Sequence, residues 1–235
     1  MKNRYFSAEL GAAGSLVELT GDEFHHAKVT RVRSGEEVEL FDGKGSCVGA
    51  RVTDLDTKMI RLLILPGPVD QREAAVELIL AMSLIQPEKF EFVLQKGTEL
   101  GVASFVPLIT DRMEIRAERV ASRQSRWERI VLEAVKQSGR SRIPKLLPFE
   151  RFAARIALPG EKIIFDADRP SSANSGFPAG PITLFIGPEG GWSEDELSSA
   201  QTYGARFERL GPRRLRAETA AIVATALVGA RAGNL

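Results

Sequence analysis

The hydrophobic period of this 235-residue chain changes once, at Pro66-Gly67-Pro68, and that change divides the sequence into two kinds of fold. Before it, VELT, EEVELFD, CVGARVTDL and KMIRLLILP alternate or run apolar in strand-length pieces. Asp42-Gly43 lies between two of them, a hairpin signal. A short helix opened by Asp22 is expected over residues 21–34. So many short strands in so few residues predict a small β-barrel over 1–70. After the polar run Asp70-Gln71-Arg72, strand-like and helix-like segments alternate. AAVELILAMS, SFVPLIT, KLLPF, KIIFDAD, ITLFIG and ARFERLG read as strands. Residues 89–100, 119–138, 151–157, 193 onward and 216–230 read as helices. Ser193 with Glu196 three residues on forms a capping-box pattern. The alternation predicts an α/β domain with a mostly parallel sheet over 71–235.

Composition narrows the function classes. Cys47 is the only cysteine, which excludes an internal disulfide and any zinc site built on several cysteines. His25 and His26 are the only histidines, so no metal site is expected. No apolar run approaches the ~20 residues of a membrane span, and MKNRYFSAEL lacks the apolar core of a signal peptide. A cytoplasmic protein is expected. The formal net charge of +1 hides an uneven distribution. Residues 112–145 carry 10 basic and 4 acidic side chains, and residues 209–216 carry four arginines and no acid. Such clustering fits either a polyanionic partner met by one face or a solvated helix surface.

Two stretches carry chemistry. Gly187-Pro188-Glu189-Gly190-Gly191-Trp192-Ser193 leaves an apolar strand and enters a capped helix. Its glycines let backbone approach a ligand closely. In α/β sheets, ligands bind outside the carboxyl ends of the strands, where this loop falls. The alternative is a plain strand-to-helix turn. Leu210-Gly211-Pro212-Arg213-Arg214-Leu215-Arg216 repeats the arrangement and delivers arginines ahead of the last helix. It is read as the second wall of a pocket or as a solvated loop.

GPEGGWSEDEL and LGPRRLRAETA resemble the two signature loops of the RsmE family, in the SPOUT class of RNA methyltransferases. Arg4-Tyr5-Phe6, His25-His26 and Arg31-Val32-Arg33-Ser34-Gly35 are similar to its N-terminal domain. Residues 95–102 resemble its first helix, and Arg126-Trp127 through Gln137-Ser138-Gly139-Arg140 its long helix. The likeness runs in order over nearly the whole chain. Three positions depart from it: Arg214 stands for an aliphatic residue, Gly97 for alanine, and Met113 for a common serine.

The resemblance implies an N-terminal PUA-like β-barrel that helps hold RNA and a C-terminal α/β domain tied in a trefoil knot. It also implies a homodimer and methyl transfer from S-adenosylmethionine to N3 of a uridine in small-subunit (16S) ribosomal RNA, free or in the assembled subunit. A ribose 2′-O-methyltransferase of the same fold, a non-catalytic RNA-binding protein and a nucleotide-phosphate enzyme are the alternatives. The expected cofactor residues are Asp166, Ile186, Gly187, Pro188, Glu189, Gly190, Gly191, Leu210, Gly211 and Leu215. Arg216, Arg213 and Glu218 are the candidate catalytic residues. Arg216 would orient the uracil, Arg213 would assist it or hold a phosphate, and Glu218 would favour the helix dipole or hold Arg216. Arg4, Arg31 and Arg33 in the barrel and Arg123, Arg126 and Arg140 in the long helix are the expected RNA contacts.

Overall fold

The computed structural model describes residues 2–67, 73–115, 122–172, 176 and 180–235. The expected domain boundary at 70/71 lies outside these residues. The chain separates into two compact units, Met1–Glu73 with Val135–Ile143, and Ala74–Ala134 with Pro144–Leu235.

The first unit is a five-stranded sheet. Its strands are β1 (Arg4–Phe6), β2 (Leu16–Leu19), β3 (Glu37–Phe41), β4 (Cys47–Leu55) and β5 (Ile60–Ile64), in the order β1-β3-β4-β5-β2. β1, which the apolar pattern alone did not mark, pairs in parallel with β3; the other pairs are antiparallel. β5 alternates buried and half-buried residues with the period of a sheet that covers one core. Tyr5, Val38, Leu40, Val52, Ile60 and Leu62 fill that core. The β3–β4 connection holds the expected turn: the Asp42 carboxylate accepts from the backbone N–H of Lys44 at 2.7 Å and Ser46 at 2.9 Å. Helix α1 is shorter than expected, Gly21–Val29, with Thr20 rather than Asp22 at its N-cap. It ends because Arg31 adopts φ +54°, a left-handed conformation that cannot continue a helix.

Two of the expected RNA contacts are corrected here. Arg4 and Arg140 are buried. Arg4 donates to the carbonyls of Val135 (3.3 Å) and Arg140 (2.8 Å) and pairs with Glu39 at 2.9 Å. Arg140 pairs with Glu73 at 3.0 Å, and the same carboxylate accepts from the N–H of Ser141 and Arg142. Lys136 pairs with Glu23 at 2.6 Å, both largely buried. These charges fasten the 135–143 segment within its own unit. Removing one partner of such a pair costs about 3–5 kcal/mol, because the other is left buried and uncompensated.

The second unit is a parallel sheet. Strands β6 (Leu78–Ser83), β7 (Val102–Ile109), β8 (Lys145–Leu146), β10 (Glu161–Phe165), β11 (Ile182–Ile186) and β12 (Arg206–Glu208) run in the order β12-β10-β11-β6-β7-β8. β9 (Glu150–Arg151) pairs with the end of β7. Helices α4 (Phe152–Ile156) and α5 (Glu194–Thr202) pack with Ala81, Val106, Ile164 and Phe185. Helices α2 (Pro87–Glu99) and α6 (Ala217–Arg231) pack together, α2 against β7 and α6 against β6 and β11. Leu78 reaches toward Gly229 of α6, while Ala81, three residues on, joins the α4–α5 core. Strands buried on both faces read as near-continuous apolar runs, which is why ITLFI and LILAM carry no alternation. Gly97 has a packing reason: a Cβ there would stand 2.7 Å from the Phe105 ring. The long helix, α3, is described from Gln124 to Ser138, and the earlier part of its expected span reaches outside the described residues. Trp127 of α3 is buried against Phe90.

The register aligns Phe165 at the end of β10 with Ile186 of β11 and with Glu208 of β12. Three loops therefore leave the sheet side by side at its carboxyl edge.

Candidate active site

The three loops, 166–172, 187–193 and 209–216, enclose a cavity of about 670 Å³. All ten expected cofactor residues line it, as do Arg213 and Arg216. Glu218 does not. It sits in the first turn of α6, and its Oε2 is buried with no hydrogen-bond partner among the described residues.

The 187–193 loop is the most firmly held. Its Pro188–Gly191 turn is closed by the N–H of Gly191 donating to the Pro188 carbonyl at 2.9 Å. Gly191 takes φ +71°, which a side chain would strain. Trp192 is a pillar beneath the loop. Its indole N–H donates to the Phe165 carbonyl at 3.1 Å, tying the ends of β10 and β11 together. Gly187 lies against the Trp192 ring, and a Cβ there would come within 3.1 Å of it. Behind the pillar stands Phe152, with ring centroids 5.0 Å apart.

The capping box is present, with Ser193 Oγ accepting from the Glu196 N–H and the Glu196 carboxylate accepting from the Ser193 N–H. The other Glu196 oxygen accepts from the Asp111 N–H at 3.0 Å, and Ser193 Oγ donates to the Asp111 carboxylate at 2.5 Å. Burial raises the Glu196 pKa above the ordinary carboxylate value despite these amide donors. Lys89 pairs with Glu189 at 3.0 Å, and Arg112 donates to the Gly190 carbonyl at 3.3 Å.

The other two loops are stitched to each other near the strands. Asp166 accepts from the N–H groups of Asp168 and Arg169, so its carboxylate shapes its own loop. The Ser172 N–H donates to the Phe207 carbonyl, and Ser171 Oγ accepts from the Arg209 N–H. Gly211 turns the third loop at φ +109°. Arg214 pairs with Asp168 at 2.7 Å. Among the described residues, the guanidinium groups of Arg213 and Arg216 have no hydrogen-bond or ion-pair partner, and both residues are exposed. No histidine lines the cavity; His25 and His26 belong to the first unit.

Sequence reasoning did not assign Arg112, Phe165, Trp192, Leu197 or Arg209 to this site, yet each lines it. Arg112 carried a usable signal, because it comes just after a strand of the same parallel sheet, at its carboxyl end. Arg31 and Arg33 are exposed at the turn after α1. Arg123 and Arg126 both pair with Glu91, at 3.0 and 2.8 Å, and Arg123 also reaches Glu88 at 3.8 Å.

The cavity has apolar walls from Ile186, Leu210, Leu215 and Ala217, exposed loop backbone, and two uncommitted guanidinium groups. Its size is within the ~300–1,000 Å³ range that holds a cofactor-sized molecule. These surfaces suit a ligand with a planar heterocycle beside a reacting partner that develops negative charge.

Known proteins are similar to this chain in sequence and fold. A model of the RNA methyltransferase domain matches residues 72–229, and one of the RNA methyltransferase PUA domain matches residues 19–65. The chain is 34% identical over 225 residues to a ribosomal RNA small subunit methyltransferase E of Synechocystis, covering 91% of this chain and 73% of that one. It is 30% identical to the protein of that description from Mycobacterium tuberculosis, covering 96% and 90%. The crystal structure of a ribosomal RNA small subunit methyltransferase E from Neisseria gonorrhoeae, bound to S-adenosylmethionine, superimposes with a TM-score of 0.91 at 34% identity, over 98% of each chain. A Legionella pneumophila structure, also in complex with S-adenosylmethionine, gives 0.88 at 31% identity over 98% of each chain.

Proposed function

The chain belongs to the RNA methyltransferase family with an N-terminal PUA domain, that of the ribosomal RNA small subunit methyltransferases E, and from that premise we propose that it transfers the methyl group of S-adenosylmethionine to N3 of a uridine in small-subunit ribosomal RNA. The observation that carries this reading is the cavity at the carboxyl ends of β10, β11 and β12, walled by small and apolar residues and edged by Arg213 and Arg216. When bound, S-adenosylmethionine supplies an electrophilic methyl group on a sulfonium. Ile186, Leu210 and Leu215 would give its adenine an apolar slot, and the 187–191 backbone would supply polar groups to it.

Uridine N3 carries an imide proton, which must leave as the N3–methyl bond forms. The protein therefore has to favour the anionic uracil at neutral pH. Arg216 orients the base and stabilises negative charge on its carbonyl oxygens, and Arg213 assists it or holds the adjacent phosphate. Freedom from partners among the described residues leaves both guanidiniums available for this. Glu218, which does not line the cavity, acts through the N-terminus of α6, where a carboxylate favours the helix dipole. Proton release goes to solvent. Arg31 and Arg33, with Arg123 and Arg126, supply phosphate contacts.

The reading extends to a trefoil knot formed by the last helix and the loops that precede it, to a homodimer, and to a cytoplasmic location. Among the described residues no helix is long and apolar enough to cross a membrane. The deciding experiment incubates the protein with labelled S-adenosylmethionine and either free ribosomal RNA or assembled small subunits, then analyses the nucleosides by mass spectrometry. 3-Methyluridine is the expected product. 2′-O-methyluridine would instead assign the ribose reaction, and no transfer would leave an RNA-binding role.

A further inference from the structure

Two of the cavity's walls are joined in two different ways. Close to the strands, the 166–172 loop is bonded to β12 and to the start of the 209–216 loop: Ser172 with Phe207, and Ser171 with Arg209. Farther along, the Arg214–Asp168 ion pair at 2.7 Å is the contact that joins them among the described residues. Both residues line the cavity, and their side chains are 67% and 77% exposed, so they stand on its solvent side. Within the rest of the loop, Arg209 donates to the Pro212 carbonyl at 3.4 Å. Gly211 turns the loop at φ +109° with open space where a Cβ would stand, and neither neighbouring arginine, Arg213 or Arg216, is tied down.

Building on the cofactor reading above, we propose that Arg214 and Asp168 form a latch that sets the rate at which S-adenosylmethionine and its demethylated product leave the cavity. An exposed ion pair is weak and screened by salt. It therefore slows opening of the loop by a small factor without locking it. That suits a site that must release a spent cofactor after each turnover. Opening breaks the pair in the 209–216 loop while the stitches near the strands stay closed, so Ile186 and Leu210 keep their part of the apolar slot through the exchange.

The test measures dissociation of S-adenosylmethionine by stopped-flow displacement at low and high ionic strength. Arg214→Leu and Asp168→Asn are each expected to raise the dissociation rate about 3–5-fold at low salt. Wild type and variants should converge at high salt. The exchanged pair, Arg214→Asp with Asp168→Arg, should restore the slow rate, which a merely structural role for either side chain would not do. Equal rates for wild type and Arg214→Leu at low salt, or an exchanged pair no slower than the single variants, would overturn the latch while leaving the cofactor site intact. Absence of any S-adenosylmethionine binding to the wild-type protein would overturn the cofactor reading and the latch together.

Discussion

The two Gly-Pro loops of the cavity begin alike and are held in opposite ways. Gly187–Ser193 is closed by its own turn, propped by Trp192 and anchored through Ser193, Glu196 and Asp111. Leu210–Arg216 has an exposed ion pair, one long contact from Arg209 to the Pro212 carbonyl, and two guanidiniums without a partner among the described residues. The difference separates two tasks. A loop that must present backbone to a ligand gains from being pre-organised, since ordering is then done by folding rather than by binding. A loop that must meet a polyanion and a changing charge needs side chains not already spent on the protein. The same sequence signal, glycine and proline after an apolar strand, thus produces a rigid wall when glycines and a tryptophan come next, and a working edge when arginines do.

The largest expected effect breaks the rigid side. Trp192→Ala removes a buried indole and leaves the Phe165 carbonyl without its donor. Truncating a core tryptophan costs about 3–5 kcal/mol. Chemical denaturation should show a loss of that size, and calorimetry should show weakened S-adenosylmethionine binding. A loss under about 1 kcal/mol would mean that the loop is rigid without its pillar.

The working edge should respond in rate and not in stability. Arg216→Ala is expected to lower single-turnover methyl transfer by at least ~100-fold, about 2.7 kcal/mol of transition-state stabilisation, with cofactor affinity within a few-fold. Raising the pH should recover part of the rate, because solvent then removes the N3 proton. A normal rate, or a defect lying wholly in cofactor affinity, would remove Arg216 from the chemical step.

A smaller effect concerns the first unit, where exposed and buried arginines divide in the same way. Arg31 and Arg33 are exposed, while Arg4 and Arg140 are spent internally. Changing Arg31 and Arg33 to alanine should each reduce the slope of log K against log salt for RNA binding by about 1. Changing Arg140 should instead lower stability. An unchanged slope in the double variant would leave the two arginines as solvated side chains.

Much of this contrast was legible in the residues. Strand-length apolar runs placed the parallel sheet, and GPEGG and LGPRR marked the cavity because ligand loops come after strand ends. Burial was not legible. Arg4 and Arg140 look like exposed cations in one dimension, and only the fold brings Glu39, Glu73 and the Val135 carbonyl to them. β1 was missed because a three-residue strand has too few positions to show a period. Trp192 was quoted within its loop, yet its role as a prop depends on Phe165, 27 residues earlier.

Glu196 offers the finest probe of the rigid loop, because the capping box was legible and the proton balance was not. Its carboxylate accepts from the N–H groups of Ser193 and Asp111, which favours the charged form. Burial opposes them and is the stronger influence, so the folded protein binds its proton more tightly than the unfolded chain does. Stability falls with rising pH wherever the native state holds the extra proton. The Glu196 contribution should therefore decline from the ordinary carboxylate pKa upward, through the raised value, and be flat above it. Denaturation of wild type and Glu196→Gln across that window should show the difference in unfolding free energy shifting in favour of the variant as pH rises, to a constant offset at neutral pH. The offset itself reports the amide donors, since glutamine keeps one acceptor oxygen for two N–H groups. A pH dependence of the opposite sign would show that the backbone donors outweigh burial, and that the loop is anchored by a carboxylate the fold prefers to keep charged.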